Sequence, residues 1–344
     1  MRQIGYTGCG GPGPAAREGV SLETTEYYSG RRPVADGEID GRTRHYGEFY
    51  GIDEPADDRP VLLVWGNCQA EALRIVLSSA PDLPYRTLRV PPVHELTRAD
   101  MRFVEHAVDS AAVFVSQPVR SGYRGLPIGT ADMLGRPRSP QKHIVWPVIR
   151  YGGLYPFQVI VRHPSDPSAV PPGVPYHDLR TVIGVVEART DFDQWDVDVA
   201  PERVLAAAEW SVEQLGMRER RDCDVGISDV LLGLGDKAAH TINHPGNEVL
   251  RELGSRIIGA LGCADPVRPP RELLGNIRAP LEAQVIDALK LDARVRQTWC
   301  VDGESVSQKS VHAVQTRWYR DHPEFVGAAL TRYGDLIDIL GLSS

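Results

Sequence analysis

The sequence predicts an α/β protein in which a parallel sheet is flanked by helices. Two observations carry that prediction. A buried-strand run, Val61-Leu62-Leu63-Val64-Trp65, passes at Gly66 straight into a helical pattern, and strand and helix patterns then alternate along the chain. With 344 residues, the chain can bury a large core without disulfide staples.

Taken in order, residues 1–59 are rich in Gly, Pro and charge and read as an irregular N-terminal arm. Its aromatic stretch, His45-Tyr46-Gly47-Glu48-Phe49-Tyr50, is foreign to a disordered tail, so part of the arm is expected to dock on the body, with a lid or a dimer contact as alternatives. After the Val61–Trp65 strand, residues 70–79 place Ala72, Leu73, Val76 and Leu77 on one helical face. Residues 86–90 read as a second strand, 98–108 as a helix, 111–115 as a third strand and 143–148 as a fourth. Five prolines between Pro164 and Pro175 demand a loop. Residues 178–188, 201–221 and 248–261 are helical, the middle one opened by Pro201. These elements make up an α/β catalytic domain over 60–264. Residues 265–344 show helical patterns at 272–289, 311–319 and 324–340 with little strand signal, which predicts a helical C-terminal subdomain.

Composition excludes several classes. Hydrophobic residues are 42% and charged residues 24% of the chain, and no apolar run approaches the roughly 20 residues of a membrane span, so no membrane insertion is expected. The first residues carry Gly and Pro where a secretory signal has its apolar stretch, which predicts a cytoplasmic address. A net charge of −8 argues against a nucleic-acid partner. Only Lys142, Lys237, Lys290 and Lys309 are lysines among 38 cationic residues; the arginine forks suit phosphates, though GC-rich coding is the simpler account. Five scattered cysteines without a CxxC pair fit neither a disulfide framework nor a Cys-rich metal site.

The sharpest feature is Gly66-Asn67-Cys68-Gln69 at the strand-to-helix turn. Open α/β folds bind ligands at such turns, where helix amides point outward, lower a thiol's pKa and hold an oxyanion. Cys68 is therefore a candidate nucleophile, with Asn67 and Gln69 as amide donors; its alternative is a small buried hydrophobe. A cysteine nucleophile wants a histidine. His240 and His244 lie in His240-Thr241-Ile242-Asn243-His244-Pro245-Gly246-Asn247, where Pro245 and Gly246 disfavour a helical metal-binding HxxxH, and no metal is expected. His244 is the preferred base and His240 is as easily structural. Cys9 reads as an inert thiol, and Cys223, Cys263 and Cys300 as packing residues. The acidic stretch 191–198 lacks the Gly and terminal Glu of a calcium loop and reads as solvated; Gly10 to Gly13 lack the Lys of a phosphate loop.

Strand, Gly-Asn-Cys-Gln and helix, followed much later by Asn-His-Pro before an amphipathic helix, resemble the WcbI-type family of polysaccharide biosynthesis proteins and acetyltransferases. Ser116 to Tyr123, Gly129-Thr130 and Tyr151 to Pro156 add to the resemblance, which spans about residues 60–262. The ends of the layout are also similar to SGNH hydrolases and their flavodoxin-like layering.

The resemblance implies a protein that binds coenzyme A and moves an acyl group to a hydroxyl or amine of a sugar or natural-product acceptor. Cys68 would be the nucleophile or acyl-site residue, His244 its base, and Gln117 and Asn67 donors near the oxyanion. SGNH hydrolases carry an Asp where this chain has Thr241, so the acid orienting His244 is open; Asp229 and Asp236 are candidates and a Cys-His dyad is the other reading. Gln69, Arg120, Tyr123, Lys142 and His143 are the expected coenzyme contacts, with Arg124, Arg150 and Arg162 also in loops near strand ends. A small-molecule acyl acceptor is the expected partner, and self-association stays open. Two alternatives share the scaffold: an SGNH-like esterase or thioesterase with water as acceptor, and a non-catalytic nucleotide- or sugar-binding module in which Cys68 is buried away from His244.

Overall fold

The computed structural model describes residues 40–166, 169–263, 269 and 271–342. Cys9 and the Gly10 to Gly13 run lie outside the described residues. Four strands, β1 (Val61–Trp65), β2 (Arg86–Leu88), β3 (Ala111–Ser116) and β4 (Lys142–Val145), form an all-parallel sheet of order β2-β1-β3-β4. The chain steps from β1 to one side and returns to build on the other. This reversal opens a crevice beyond the C-terminal ends of β1 and β3, the usual ligand position in such sheets.

The unbroken hydrophobic run of β1 follows from burial on both faces. Leu62 and Val64 join Val113, Val115 and Ile144 beneath the helices Cys68–Ser78, Pro201–Asp222 and Asn247–Ala260. Val61, Leu63 and Trp65 face the other way, into a cluster with Phe114, Val104 and Val108 of the helix Met101–Ser110. The described part of the arm completes that second layer. Phe49 is buried against Phe103, and Arg42–Asp100 and Arg86–Glu48 ion pairs tie the segment to the body.

Several sequence expectations need correction. The fourth strand starts one residue earlier and stops at Val145, because Pro147 has no N–H to continue the ladder. The acidic residues of the 191–198 stretch are exposed as expected, but the short helix Phe192–Trp195 within it buries Trp195, whose indole N–H donates to Thr181 Oγ1 at 2.9 Å. The C-terminal region carries a three-stranded antiparallel sheet, Ile277–Arg278, Thr298–Val301 and Glu304–Ser307, beside its helices. Pro280 interrupts the expected 272–289 helix, leaving only Ala283–Leu289. Asp302 and Gly303 both take positive φ, 49° and 88°, the backbone of a tight hairpin matched to strand twist.

The helices Gln308–Asp321 and Pro323–Leu340 share the core of the sheet, since Val311, Leu336, Ile337 and Leu340 belong to the cluster containing Leu62 and Val64. One buried arginine pins the junction. Arg180 lies between the Phe157 and Trp195 rings, 3.9 Å from each centroid, and its guanidinium bonds Asp178 and Glu282.

Candidate active site at the crevice

The Gly66–Gln69 turn leaves β1 at that crevice, and buried amides hold its shape. Asn67 caps the following helix, its Oδ1 accepting the Gln69 backbone N–H at 2.9 Å. Gln117, just past β3, accepts the Asn67 backbone N–H on Oε1 at 2.9 Å and donates from Nε2 to Gln69 Oε1 at 3.0 Å. Gln69 Nε2 donates to the carbonyls of Ile149 and Asn243, both at 2.8 Å, while its Oε1 also accepts the Ile149 N–H at 3.1 Å. A side-chain amide has two donors and two lone pairs, so Gln69 is saturated. Gly66 is required by closeness: a Cβ there would lie 2.4 Å from Gln117 Oε1.

This arrangement corrects two roles. Gln69, fully buried and fully bonded, has no capacity left for coenzyme contact. Gln117 is a positioning residue that locks the turn, since its amide is engaged by Asn67 and Gln69. Asn67 spends its Oδ1 on the cap; its Nδ2 carries no hydrogen bond among the described residues.

Cys68 opens the helix Cys68–Ser78 half-buried. Burial raises its thiol above the ordinary 9.0, outweighing the backbone amides of Cys68 and Gln69 that favour the thiolate; the nearby Glu95 charge raises it further. The helix amides alone predict a lowered pKa, but the desolvation that comes with a packed crevice outweighs them.

Two loops flank the cysteine. On one side the Val93 N–H donates to the Gly66 carbonyl at 2.9 Å, which brings His94 and Glu95 beside the turn. His94 is held below the ordinary imidazole range by burial and then by the charges of Arg124 and Arg162; Arg124 also donates to the His94 carbonyl at 3.0 Å. On the other side stands Tyr176, close enough to feel the Cys68 charge. Its hydroxyl bonds Thr241 Oγ1 and Asn243 Oδ1, both at 2.8 Å, and its ring stacks on Trp299. Sequence reasoning missed both His94 and Tyr176. The signal for His94 was its position between a strand and a helix on the same sheet edge; Tyr176 follows a proline-rich loop with no local motif.

His244 follows Asn243, whose carbonyl holds Gln69, so the fold brings its segment to the crevice wall. Burial and then the His240 charge hold it down at about 4, while the Leu274 backbone opposes that shift; Nδ1 is buried without a partner. Among the described residues, no hydrogen bond joins His244 to Cys68. No carboxylate orients it either: Asp229 is bound by Arg256 at 2.7 and 2.9 Å, and Asp236 lies in a short turn. His240 is half-buried and bonds Glu272 at 3.0 Å.

The expected coenzyme contacts divide by sheet edge. Arg120 and Tyr123 lie in the loop after β3, at the crevice end, with the Arg120 guanidinium 5.9 Å from the Tyr123 ring centroid. Lys142 and His143 open β4, opposite Val113 and Phe114, so they sit exposed towards the other end of the sheet. At about 3.3 Å per strand residue Lys142 starts roughly 10 Å and His143 roughly 7 Å below the crevice edge, on a different part of the sheet from Arg120 and Tyr123. Among the described residues, no group of three or more His, Cys, Asp or Glu is placed to hold a metal ion. No helix of the described residues is long and apolar enough to cross a membrane.

A half-buried cysteine at the first turn of a helix, on the switch point of a parallel sheet, defines an α/β protein with its candidate site at the C-terminal ends of the strands. The chain belongs to the polysaccharide biosynthesis enzyme WcbI family, whose family model matches residues 61–266. A solved structure of WcbI, described as a novel polysaccharide biosynthesis enzyme, aligns with a TM-score of 0.64 at 19% identity, covering 83% of this chain and 99% of that one. That structure is of the native protein without a disulfide bond between coenzyme A and a cysteine. A search of curated proteins finds no match.

Proposed function

We propose that the chain is an acyltransferase that moves an acyl group from a coenzyme A thioester to a hydroxyl or amine of a sugar or natural-product acceptor. The observation that carries this reading is the position of Cys68 at the first residue of the helix Cys68–Ser78, where the backbone N–H groups of Cys68 and Gln69 favour its thiolate. Donors at a helix start that stabilise a thiolate also stabilise the oxyanion of a tetrahedral intermediate. The structural relative's association of coenzyme A with a cysteine supports the donor.

In the first half-reaction the Cys68 sulfur attacks the thioester carbonyl, a bond forms to the acyl carbon, and the bond to the coenzyme sulfur breaks. The proton leaving Cys68 passes to a histidine and then to the departing thiolate. A raised thiol pKa makes that acceptor necessary, because few thiolates exist at neutral pH. His244 offers a buried, unpartnered Nδ1 for the proton. In the second half-reaction the acceptor hydroxyl or amine gives its proton to the histidine and attacks the acyl carbon, the bond to the Cys68 sulfur breaks, and the histidine returns the proton to that sulfur. Asn67 Nδ2 serves as a further donor to the oxyanion, and Gln117 keeps the turn in place. His94 is the competing base, favoured by the tether between Val93 and Gly66.

The test is release of free coenzyme A from acetyl-CoA in the presence of sugar acceptors. Cys68→Ala should abolish turnover, and His244→Asn should lower it by about a hundredfold or more, the usual contribution of a general base. Full activity in His244→Asn with loss in His94→Asn would move the base to His94. Full activity in Cys68→Ala would end the nucleophile assignment.

A further inference from the structure

Four arginines from four separate segments, Arg150, Arg162 and Arg332 exposed and Arg218 half-buried, lie near enough to act on one another's charge, and none of them is ion-paired among the described residues. Arg150 follows β4, Arg162 follows the short strand Gln158–Val159, Arg218 lies on the helix Pro201–Asp222, and Arg332 lies on the helix Pro323–Leu340. Hydrogen bonds outside the cluster fix the meeting. The Gly152 N–H donates to Ser211 Oγ at 2.8 Å, docking the segment of Arg150 on the helix whose Arg218 comes two turns later on the same side. The Tyr333 hydroxyl donates to the Ile160 carbonyl at 2.9 Å, bringing Arg332 beside the segment of Arg162.

The charges are mutually exposed. Arg150 is held below the usual guanidinium range by desolvation and, although Tyr333 favours its charged form, by Arg332 and Arg162; Arg218 is held down by desolvation and then by Arg150, against the nearby Glu219 charge. Arg218 Nη2 is buried without a hydrogen-bond partner. Glu219, its neighbour in sequence, is committed to the N–H groups of Ile227 and Ser228. None of the four arginines bonds a carboxylate among the described residues, whereas Arg42, Arg74, Arg136, Arg180 and Arg256 all do.

Clustered cations in a chain of net charge −8 lose stability through repulsion unless an anion joins them. We infer that Arg150, Arg162, Arg218 and Arg332 form a binding site for the phosphates of a polyphosphorylated ligand. Guanidinium forks match phosphate oxygens in pairs, and several elements supplying one fork each suit a diphosphate more than a single carboxylate. Arg162 also acts on His94 beside the Cys68 turn, so the site runs from the crevice outward. Arg332 lies beyond the family-matched residues 61–266, which assigns the C-terminal helix a part in binding. The inference stands on these arginines and holds whether or not acyl transfer does. Two sources share the chemistry: the nucleotide end of coenzyme A, and a nucleoside diphosphate sugar as acceptor.

The test is calorimetry on the full chain with inorganic pyrophosphate, comparing wild type with Arg218→Met and with the exposed Arg332→Gln. Pyrophosphate should bind wild type and bind each variant about tenfold more weakly or worse, with melting temperatures at or above wild type, since repulsion is relieved. Wild type that shows no pyrophosphate binding at millimolar concentration, or variants that bind it equally, would overturn the site. Displacement of pyrophosphate by coenzyme A, with pantetheine affinity the same in all three proteins, supports the site and names the coenzyme as source. Displacement by uridine diphosphate glucose but not by coenzyme A supports the site and names the acceptor. Loss of coenzyme A and pantetheine binding alongside intact pyrophosphate binding would count against the acyl-CoA reading and leave the phosphate site in place.

Discussion

Gln117 Oε1 accepts the backbone N–H of Asn67 at 2.9 Å, joining the end of β3 to the turn that follows β1. Neighbouring parallel strands leave their C-terminal backbone unpaired at the crevice, and this bond makes the gap between them a rigid shelf. Cys68 sits on that shelf, one residue further along.

Removing the bond should therefore affect both stability and catalysis. Gln117→Leu leaves the Asn67 N–H and one Gln69 lone pair unpaired in a buried setting, at a cost of about 1–3 kcal/mol for each group. Urea denaturation should show a lowered midpoint with an unchanged slope. Acyl transfer should fall further than that stability loss accounts for, because the cysteine's amides move with the turn.

The raised thiol pKa of Cys68 predicts slow alkylation. Iodoacetamide should modify Cys68 more slowly than a free thiol at pH 8, with the rate still climbing beyond the ordinary value of 9.0. Rapid modification at pH 7, mapped to Cys68 by peptide mass spectrometry, would show a thiolate that the surroundings do not favour.

Acid should destabilise the protein through buried neutral histidines. Burial, helped at His244 by the His240 charge, holds His244 at about 4 and His177 at about 3, against an ordinary 6.5. An unfolded chain takes up these protons first, so the contribution is complete above pH 6.5 and is lost as pH falls towards 4 for His244 and 3 for His177. His244→Asn should flatten the unfolding-midpoint curve between pH 6.5 and 4, and an unchanged curve there would contradict the buried-neutral assignment.

Arg180 predicts how firmly the C-terminal region is joined to the sheet. Arg180→Met keeps much of the packing against Phe157 and Trp195 but strands Asp178 and Glu282, and should cost about 3 kcal/mol, as for one partner lost from a buried pair. Thermal unfolding should remain one transition, because both regions share one hydrophobic cluster.

The sheet was legible because its cause is local. A strand buried on both faces reads as an apolar run, and the first such run ended at the Gly-Asn-Cys-Gln turn. The C-terminal hairpin has only the two-residue signal Asp302-Gly303, set among stronger helical patterns, and its strands are short, the second largely polar. Within the site, Cys68 and its capping Asn67 follow from neighbours in sequence. Gln69 looked like a ligand contact because it stands beside the cysteine, and only the distant Ile149, Gln117 and Asn243 reveal that its amide is spent. Lys142 and His143 could not be placed for want of register, since a shift of two or three residues along a strand decides how near the crevice they stand. The grouping of Arg150, Arg162, Arg218 and Arg332 depends on helices meeting loops far apart in sequence, which no motif records.

The account rests on Cys68 carrying the acyl group. Mixing the protein with acetyl-CoA in the absence of acceptor, quenching in acid and analysing the peptides by mass spectrometry tests it most directly. A single acetyl group on the peptide containing Cys68, absent from Cys68→Ala and discharged when acceptor is added, is the predicted result. Turnover of acetyl-CoA with no acetyl group on Cys68 at any time point would contradict it.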